Sequence, residues 1–355
     1  MSTAPFVSTS PLANTAALLE VTGLSVNLGP TPVLSDVTFA VSAGERAGLI
    51  GESGSGKSVT ALAVIGLLPD EMSATGHVRF DGEELMAASE RRMSELRGNR
   101  ISMVFQEPMS ALNPLMRVGK QVGEVLRVHR GLGRAGARAQ AVELLARVGL
   151  DDPQHQARAF PHQLSGGQRQ RVMLAMAVAC GPSLVLADEP TTALDVTVQA
   201  QVLAVLRQLV DEEQSSLVLI SHDLAVVSSL CERLLVMYGG RIVESGTTAD
   251  LLARPRHPYT AGLVATSGAV SPDRPRDGKA LPAIAGTVPE LGSFPQGCVF
   301  RSRCDRADGQ CGLLPMLEGD GHQVACWHPH TYDGLGHQVG TPAPGAATVD
   351  SGAPR

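Results

Sequence analysis

Gly51-Glu52-Ser53-Gly54-Ser55-Gly56-Lys57-Ser58 has the residue types and spacing of a loop that wraps phosphates. Glycines let successive backbone N–H groups converge on an anion, Lys57 offers a charge to terminal phosphate oxygens, and the Ser58 hydroxyl is placed for Mg2+. The apolar run Ala47-Gly48-Leu49-Ile50 precedes it, and helical periodicity from Ser58 to Leu68 follows, so the spacing predicts strand, loop and helix. Gly51, Ser53, Gly54, Ser55, Gly56, Lys57, Ser58 and Val59 are the expected ligand contacts.

A second group lies at Leu184-Val185-Leu186-Ala187-Asp188-Glu189, where two carboxylates end an apolar run. Asp188 is expected to hold the Mg2+ shell and Glu189 to polarise an attacking water. Adjacent acids after a strand usually begin a solvated loop; the phosphate loop upstream is what makes these two site residues. Leu164-Ser165-Gly166-Gly167-Gln168 opens a helix running to about Ala179, and its amides offer a second phosphate-binding surface. Ser165 followed by Gln168 three residues on also fits a plain capping box, and the two readings are compatible.

These residues need a scaffold, and the patterns predict an α/β fold: a phosphate-loop core with a mostly parallel sheet. Leu184–Ala187 and Leu217-Val218-Leu219-Ile220 are apolar runs suited to central parallel strands. Leu19-Glu20-Val21 and Val37-Thr38-Phe39-Ala40-Val41, separated by a Gly-Pro turn, predict a small antiparallel β-subdomain. Residues about 107–179 predict a helical subdomain. The expected organisation is a disordered leader over 1–17, the nucleotide-binding domain over 18–255, a small Cys-rich domain over 256–331 and a disordered tail over 332–355.

A net charge of −6 over 355 residues gives no basic field for nucleic acid or anionic lipid. No apolar stretch of roughly 18 residues appears, and the leader lacks a charged start and apolar block, so a cytoplasmic location is expected. Cys180 and Cys231 sit in apolar surroundings and are expected to be buried structural thiols. Cys298, Cys304, Cys311 and Cys326 crowd one loop-rich segment, which in a reducing compartment predicts a metal site rather than disulfides. Their spacing lacks the tight pairs of zinc sites and suits a cubane iron–sulfur cluster better; zinc or free thiols are the alternatives. His322 and His328 flank Cys326 and are expected at the surface.

With Gln106, Ala193-Leu194-Asp195 and Ser221-His222-Asp223 added, the motifs over residues 18 to about 250 resemble, in order and spacing, the ATP-binding cassette ATPases. The resemblance implies a dimer that sandwiches ATP between the phosphate loop of one subunit and the Leu164–Gln168 segment of the other. It also implies that Gln106 senses Mg2+ and water, that Asp195 lies in the loop crossing the dimer interface, and that His222 holds Glu189 and the γ-phosphate. Leu28 stands where the family places an adenine-stacking aromatic, so weak discrimination between ATP and GTP is expected.

Phe105 to Pro114, the run Asp188 to Val196, Arg256-His257-Pro258-Tyr259-Thr260 and the cysteine-rich end resemble the peptide/nickel importer subfamily, dipeptide "D" type. That implies an ATP-hydrolysing motor for di- or oligopeptide import, paired with a second ATPase under two permease subunits and fed by an extracytoplasmic binding protein. It places the chain peripherally at the cytoplasmic face of the membrane, with residues 107–114 receiving the permease. Some members carry a [4Fe–4S] cluster at the cysteines. Nickel or another small solute is the alternative cargo; a non-transport cassette ATPase and a redox-sensing ATPase are more distant readings.

Overall fold

Every residue of Leu184–Asp188 and of Ser216–Ser221 is buried, as strands covered on both faces must be. The computed structural model describes residues 17–106, 111–192, 194–267, 283–332 and 338–339. Its strands are β1 (Ala17–Leu28), β2 (Thr31–Ser42), β3 (Arg46–Ile50), β4 (Met72–Phe80), β5 (Glu83–Glu84) and β6 (Ile101–Val104). They continue with β7 (Leu184–Asp188), β8 (Ser216–Ser221), β9 (Arg233–Tyr238), β10 (Arg241–Thr247) and β11 (Gln323–Val324). The helices are α1 (Lys57–Val64), α2 (Glu90–Leu96), α3 (Val118–Arg130), α4 (Arg134–Arg147) and α5 (Pro153–Gln156). After them come α6 (Gly166–Val178), α7 (Val196–Glu213), α8 (Leu224–Leu230), α9 (Thr248–Ala253) and α10 (Pro258–Ser267).

The main sheet runs β11-β10-β9-β3-β8-β7-β6. Pairing is parallel from β9 to β6 and antiparallel at β10 and β11. The expected β-subdomain is a separate antiparallel sheet of order β2-β1-β4-β5. Because side chains alternate along a strand, the main sheet feeds two cores. Val185, Ala187, Leu217 and Leu219 pack with the helices α3, α4, α6 and α7. Leu184, Leu186, Val218 and Ile220 pack with α1 and the small sheet. The helical insertion lies between β6 and β7, its helices running from Val118 to Val178.

The segment expected as a small domain over 256–331 does not stand apart. Its β11 pairs with β10, Glu244 opposite Val324, and Tyr259, Cys298, Phe300 and Cys311 are buried in the core that α3, α4, α6 and α7 also share. A region with too few apolar residues for its own core is thereby stabilised by a larger one. Residues 1–16 and 340–355, most of the expected leader and tail, lie outside the described residues. Ala17 already belongs to β1, and Thr331–Tyr332 pairs with Gln338–Val339.

Glu244 anchors the join. Fully buried, it accepts the Arg256 and His257 amides at 2.7 and 2.8 Å. His322, expected at the surface, instead lies with Nε2 2.7 Å from the same carboxylate. Burial pushes the Glu244 pKa up, but these bonds outweigh it and hold the carboxyl below its ordinary range.

His257 is 1% exposed, and burial depresses its pKa from 6.5 to about 4. Below pH 6.5 the unfolded chain takes up a proton that the native chain refuses, so stability is complete above that pH and falls toward pH 4. Between pH 7 and 5 the loss should be about 2 kcal/mol. Urea unfolding at the two pH values should show it, and His257→Asn should flatten the dependence.

Candidate functional site

Four adjacent parallel strands, β3, β8, β7 and β6, end on the same side of the sheet, and each delivers a sequence-predicted residue there. Their carboxyl ends carry the Gly51–Ser58 loop, His222, Asp188-Glu189 and Gln106 respectively. This is where open parallel sheets bind ligands.

The loop turns into α1 at Gly56, which has φ 102°; a Cβ there would sit 2.4 Å from Leu34 Cδ2. Only glycine combines that conformation with that closeness. Lys57 is 5% exposed and its Nζ donates to the Gly51 and Glu52 carbonyls at 2.8 and 3.0 Å, so the charge is held inside the loop. Burial lowers its pKa. Ser58 hydrogen-bonds Asp188, whose pKa burial raises. Asp188 is 4% exposed, and its Oδ1 has no hydrogen-bond partner. A buried, unsatisfied carboxylate oxygen beside a serine hydroxyl is a donor set suited to a hard cation.

Glu189 adopts φ 44°, uncommon for a non-glycine residue, while its amide still donates to Ile220 O at 2.9 Å. Its Oε1 lies 3.0 Å from His222 Nδ1; its Oε2 accepts from Thr192 Oγ1 at 2.7 Å and Gln106 Nε2 at 3.3 Å. Burial pushes this carboxyl up, but the His222 and Thr192 hydrogen bonds outweigh it and the pKa is lowered. An ionised carboxylate held in this way can accept a proton from a bound water. Thr192 was not anticipated from sequence, although its place three residues after Glu189 in the same turn was a usable signal.

The segment expected to offer a second phosphate-binding surface opens α6. Ser165 caps α6: its Oγ accepts the Gln168 amide at 3.3 Å, and Gln168 Oε1 accepts the Ser165 amide at 2.9 Å. Gly167 fits against α7, a Cβ there falling 2.4 Å from Val198 Cγ1. Ser165 and Gly166 are exposed, and among the described residues no hydrogen bond or ion pair links Leu164–Gln168 to Gly51–Ser58. Asp195 is exposed and caps α7, accepting the Val198 amide at 2.9 Å. Leu28, 39% exposed, ends β1 beside its hairpin turn. Residues 107–110 of the expected permease-facing segment, and Ala193, lie outside the described residues.

Cys180 and Cys231 are buried, as expected, and burial pushes the Cys231 thiol up to about 12. Of the cluster cysteines, Cys298 and Cys311 are buried and Cys304 and Cys326 half-buried. The Cys298 amide donates to Cys311 O at 3.0 Å. Burial first, then mutual like charge, raises Cys326 to about 12 and Cys304 to about 11. His328, expected at the surface, is half-buried, with Nε2 2.9 Å from Asp308 Oδ1.

Residues 34–192 match the family model described as ABC transporter, and residues 243–311 the one described as oligopeptide/dipeptide transporter, C-terminal region. The chain is 46% identical over 306 residues to the probable D,D-dipeptide transport ATP-binding protein DdpD of Escherichia coli, covering 85% of this chain and 92% of that one. It belongs to the ABC transporter ATPases. The oligopeptide transport ATP-binding protein OppD of Salmonella typhimurium is 44% identical over 318 residues, covering 88% of this chain and 94% of its own. Among solved structures, the ATP-binding cassette MJ0796, a dimer bound to ADP and Pi in a post-hydrolysis state, superposes with TM-score 0.58 at 28% identity. It covers 65% of this chain and 98% of its own.

For an ABC ATPase, the charge network around Glu189 predicts a separation of binding from chemistry. Glu189→Gln should lower ATP turnover by about a hundredfold or more while leaving nucleotide affinity within about threefold. Steady-state phosphate release and equilibrium binding of a fluorescent ATP analogue measure the two quantities.

Proposed function

We propose that this ATPase drives a bacterial importer of di- and oligopeptides, as one of two cassettes beneath a pair of permease subunits. The observation that carries the cargo is the match of residues 243–311 to the oligopeptide/dipeptide transporter C-terminal region, joined to relatives whose names specify dipeptide or oligopeptide transport. Among the described residues no helix is long and apolar enough to cross a membrane, so translocation is assigned to the permeases. Substrate reaches them from an extracytoplasmic binding protein.

In the proposed cycle Lys57 leaves the Gly51 and Glu52 carbonyls for the terminal phosphates, and the freed loop amides take the remaining oxygens. Ser58, Asp188 and Gln106 would hold Mg2+, which neutralises phosphate charge; the unsatisfied Asp188 Oδ1 supports this assignment. Glu189 takes the proton of the attacking water while His222 and Thr192 fix its carboxylate. Ser165, Gly166, Gly167, Gln168 and Asp195 serve the site of the second cassette, consistent with the lack, among the described residues, of any hydrogen bond or ion pair from them to this chain's own loop. Leu28 offers the base an aliphatic contact in place of stacking, so ATP and GTP should compete within about tenfold of each other.

The four clustered cysteines are assigned a [4Fe–4S] cluster. A tetrahedral zinc with bonds of roughly 2.3 Å needs sulfurs roughly 3.8 Å apart. Among the described residues, the group whose ligand atoms lie within 4.8 Å of one another is instead Asp308, Cys311 and His328. No three of the four thiols lie within 4.8 Å of one another among the described residues, and the reading rests on four soft ligands without the tight sequence pairs of a zinc site. Bound iron would favour the thiolates that burial now opposes at Cys298, Cys304 and Cys326, and would tie down a loop-rich segment.

Peptide uptake into a strain lacking the chromosomal copy should return with the wild-type chain and not with Glu189→Gln. Restoration of nickel uptake without peptide uptake would overturn the cargo. Anaerobic purification should give brown protein with about four irons per chain; a colourless protein with one zinc would overturn the cluster.

A further inference from the structure

Glu52, the second residue of the phosphate loop, is gripped at every polar group. Lys57 Nζ donates to its carbonyl at 3.0 Å, and its own amide donates to Tyr259 Oη at 2.8 Å. Its carboxylate accepts a two-pronged bond from Arg303, Nη1 to Oε2 at 2.6 Å and Nη2 to Oε1 at 3.2 Å. The Ser55 amide also donates to the Glu52 carbonyl at 3.2 Å, so two of the four partners come from the C-terminal region and two from the loop itself.

Both partners are themselves built in. The Arg303 side chain is 4% exposed; its remaining donors reach Ala285 O at 2.8 Å, Gly286 O at 3.4 Å and Tyr238 Oη at 3.3 Å. Its guanidinium lies over the rings of Tyr238 and Phe300, at 5.7 and 5.9 Å. Tyr259 is fully buried, with its ring 4.7 Å from Tyr238 and 5.4 Å from Phe300. Its amide donates to His257 Nδ1 at 3.1 Å, and His257 hangs in turn on the buried Glu244. The Arg256–Thr260 motif is thus a strut that ends on the phosphate loop. Arg303 sits in the turn between Cys298 and Cys304.

The chemistry of the loop makes this grip consequential. A carboxylate at Glu52 is a negative charge beside the place where a polyphosphate must bind, and a planar guanidinium is the group best shaped to neutralise it. When Lys57 leaves the Glu52 carbonyl for phosphate, the Tyr259 and Arg303 bonds, together with the Ser55 amide 3.2 Å from that carbonyl, keep the peptide in place.

We propose that Arg303 and Tyr259 are positioning residues for nucleotide binding, through which the C-terminal region sets the ATP affinity of the phosphate loop. Arg303 cancels the Glu52 charge and Tyr259 fixes the Glu52 peptide. A displacement of the cysteine-bearing turn is therefore felt as weaker ATP binding. The inference rests on Gly51–Ser58 being the nucleotide loop, but on neither the cargo nor the nature of the metal.

Equilibrium binding of a fluorescent ATP analogue to the full chain tests it, with melting temperature recorded for each variant. Arg303→Gln should raise Kd by about tenfold, with the loss shrinking in high salt as the exposed carboxylate is screened. Adding Glu52→Gln to it should recover most of the affinity, and Arg303→Lys should fall between wild type and Arg303→Gln. Should Arg303→Gln fail to fold, Arg303→Lys and the double variant carry the comparison. An Arg303→Gln protein that binds within twofold of wild type overturns the proposal, as does a double variant no tighter than Arg303→Gln. Lys57→Ala separates the premise: if it binds the analogue normally, the loop is not the nucleotide site, and that reading fails first.

Discussion

Parallel pairing of β3, β8, β7 and β6 is the constraint on which the rest of the molecule depends. Ile50 lies opposite Ser221, Asp188 opposite Ile220 and Val104 opposite Ala187. In that register the phosphate loop, His222, the two carboxylates and Gln106 leave the sheet within about one residue of the same level. A parallel sheet cannot be joined by tight hairpins, so each connection must cross over. The helical insertion, α1 and α7 are those crossovers, and the two cores they form hold the strand ends rigid. The chemistry is precise because the residues bearing it emerge from the most buried strands of the protein.

Buried charge is the counterweight. Lys57, Asp188, Glu244 and Arg303 are all withdrawn from water, and isolated ions in such places are strongly disfavoured. Glu244 and Arg303 are fully satisfied by named partners and act as fasteners between the core and the C-terminal region. Lys57 and Asp188 are satisfied differently. Lys57 borrows carbonyls from its own loop, and Asp188 keeps one oxygen without a partner. The fasteners are complete in the isolated chain, whereas the nucleotide-site charges have room for a ligand.

The site was legible from sequence because its motifs depend on local chain geometry. Gly56, Lys57, Ser58, Asp188 and Glu189 owe their roles to a glycine turn, a helix start and a strand end, each encoded by consecutive residues. The apolar runs of β7 and β8 gave away the central strands for the same reason. How the C-terminal region joins the nucleotide-binding core was not legible, because its contacts join residues far apart in sequence. Arg303 meets Glu52 across 251 positions, and His322 meets Glu244 across 78. No periodicity marks such pairs, and a segment poor in apolar residues shares a larger core through them.

The α6 N-terminus shows how one local structure can meet two demands. A helix begins with unpaired amides, and a capping box normally satisfies some of them. Here the Ser165 hydroxyl takes the Gln168 amide and the Ser165 carbonyl takes that of Arg169. Among the described residues the amides of Gly166 and Gly167 are not taken by the cap, at the end of the helix where the backbone dipole favours negative charge. Gly167 is a glycine because Val198 leaves no room for a Cβ; Gly166, exposed beside it, gives a phosphate close access to the backbone. The cap therefore stabilises the free helix without consuming the amides that a bound phosphate needs. In the proposed two-cassette arrangement, that division keeps the segment folded and exposed on one chain, ready for nucleotide carried by another.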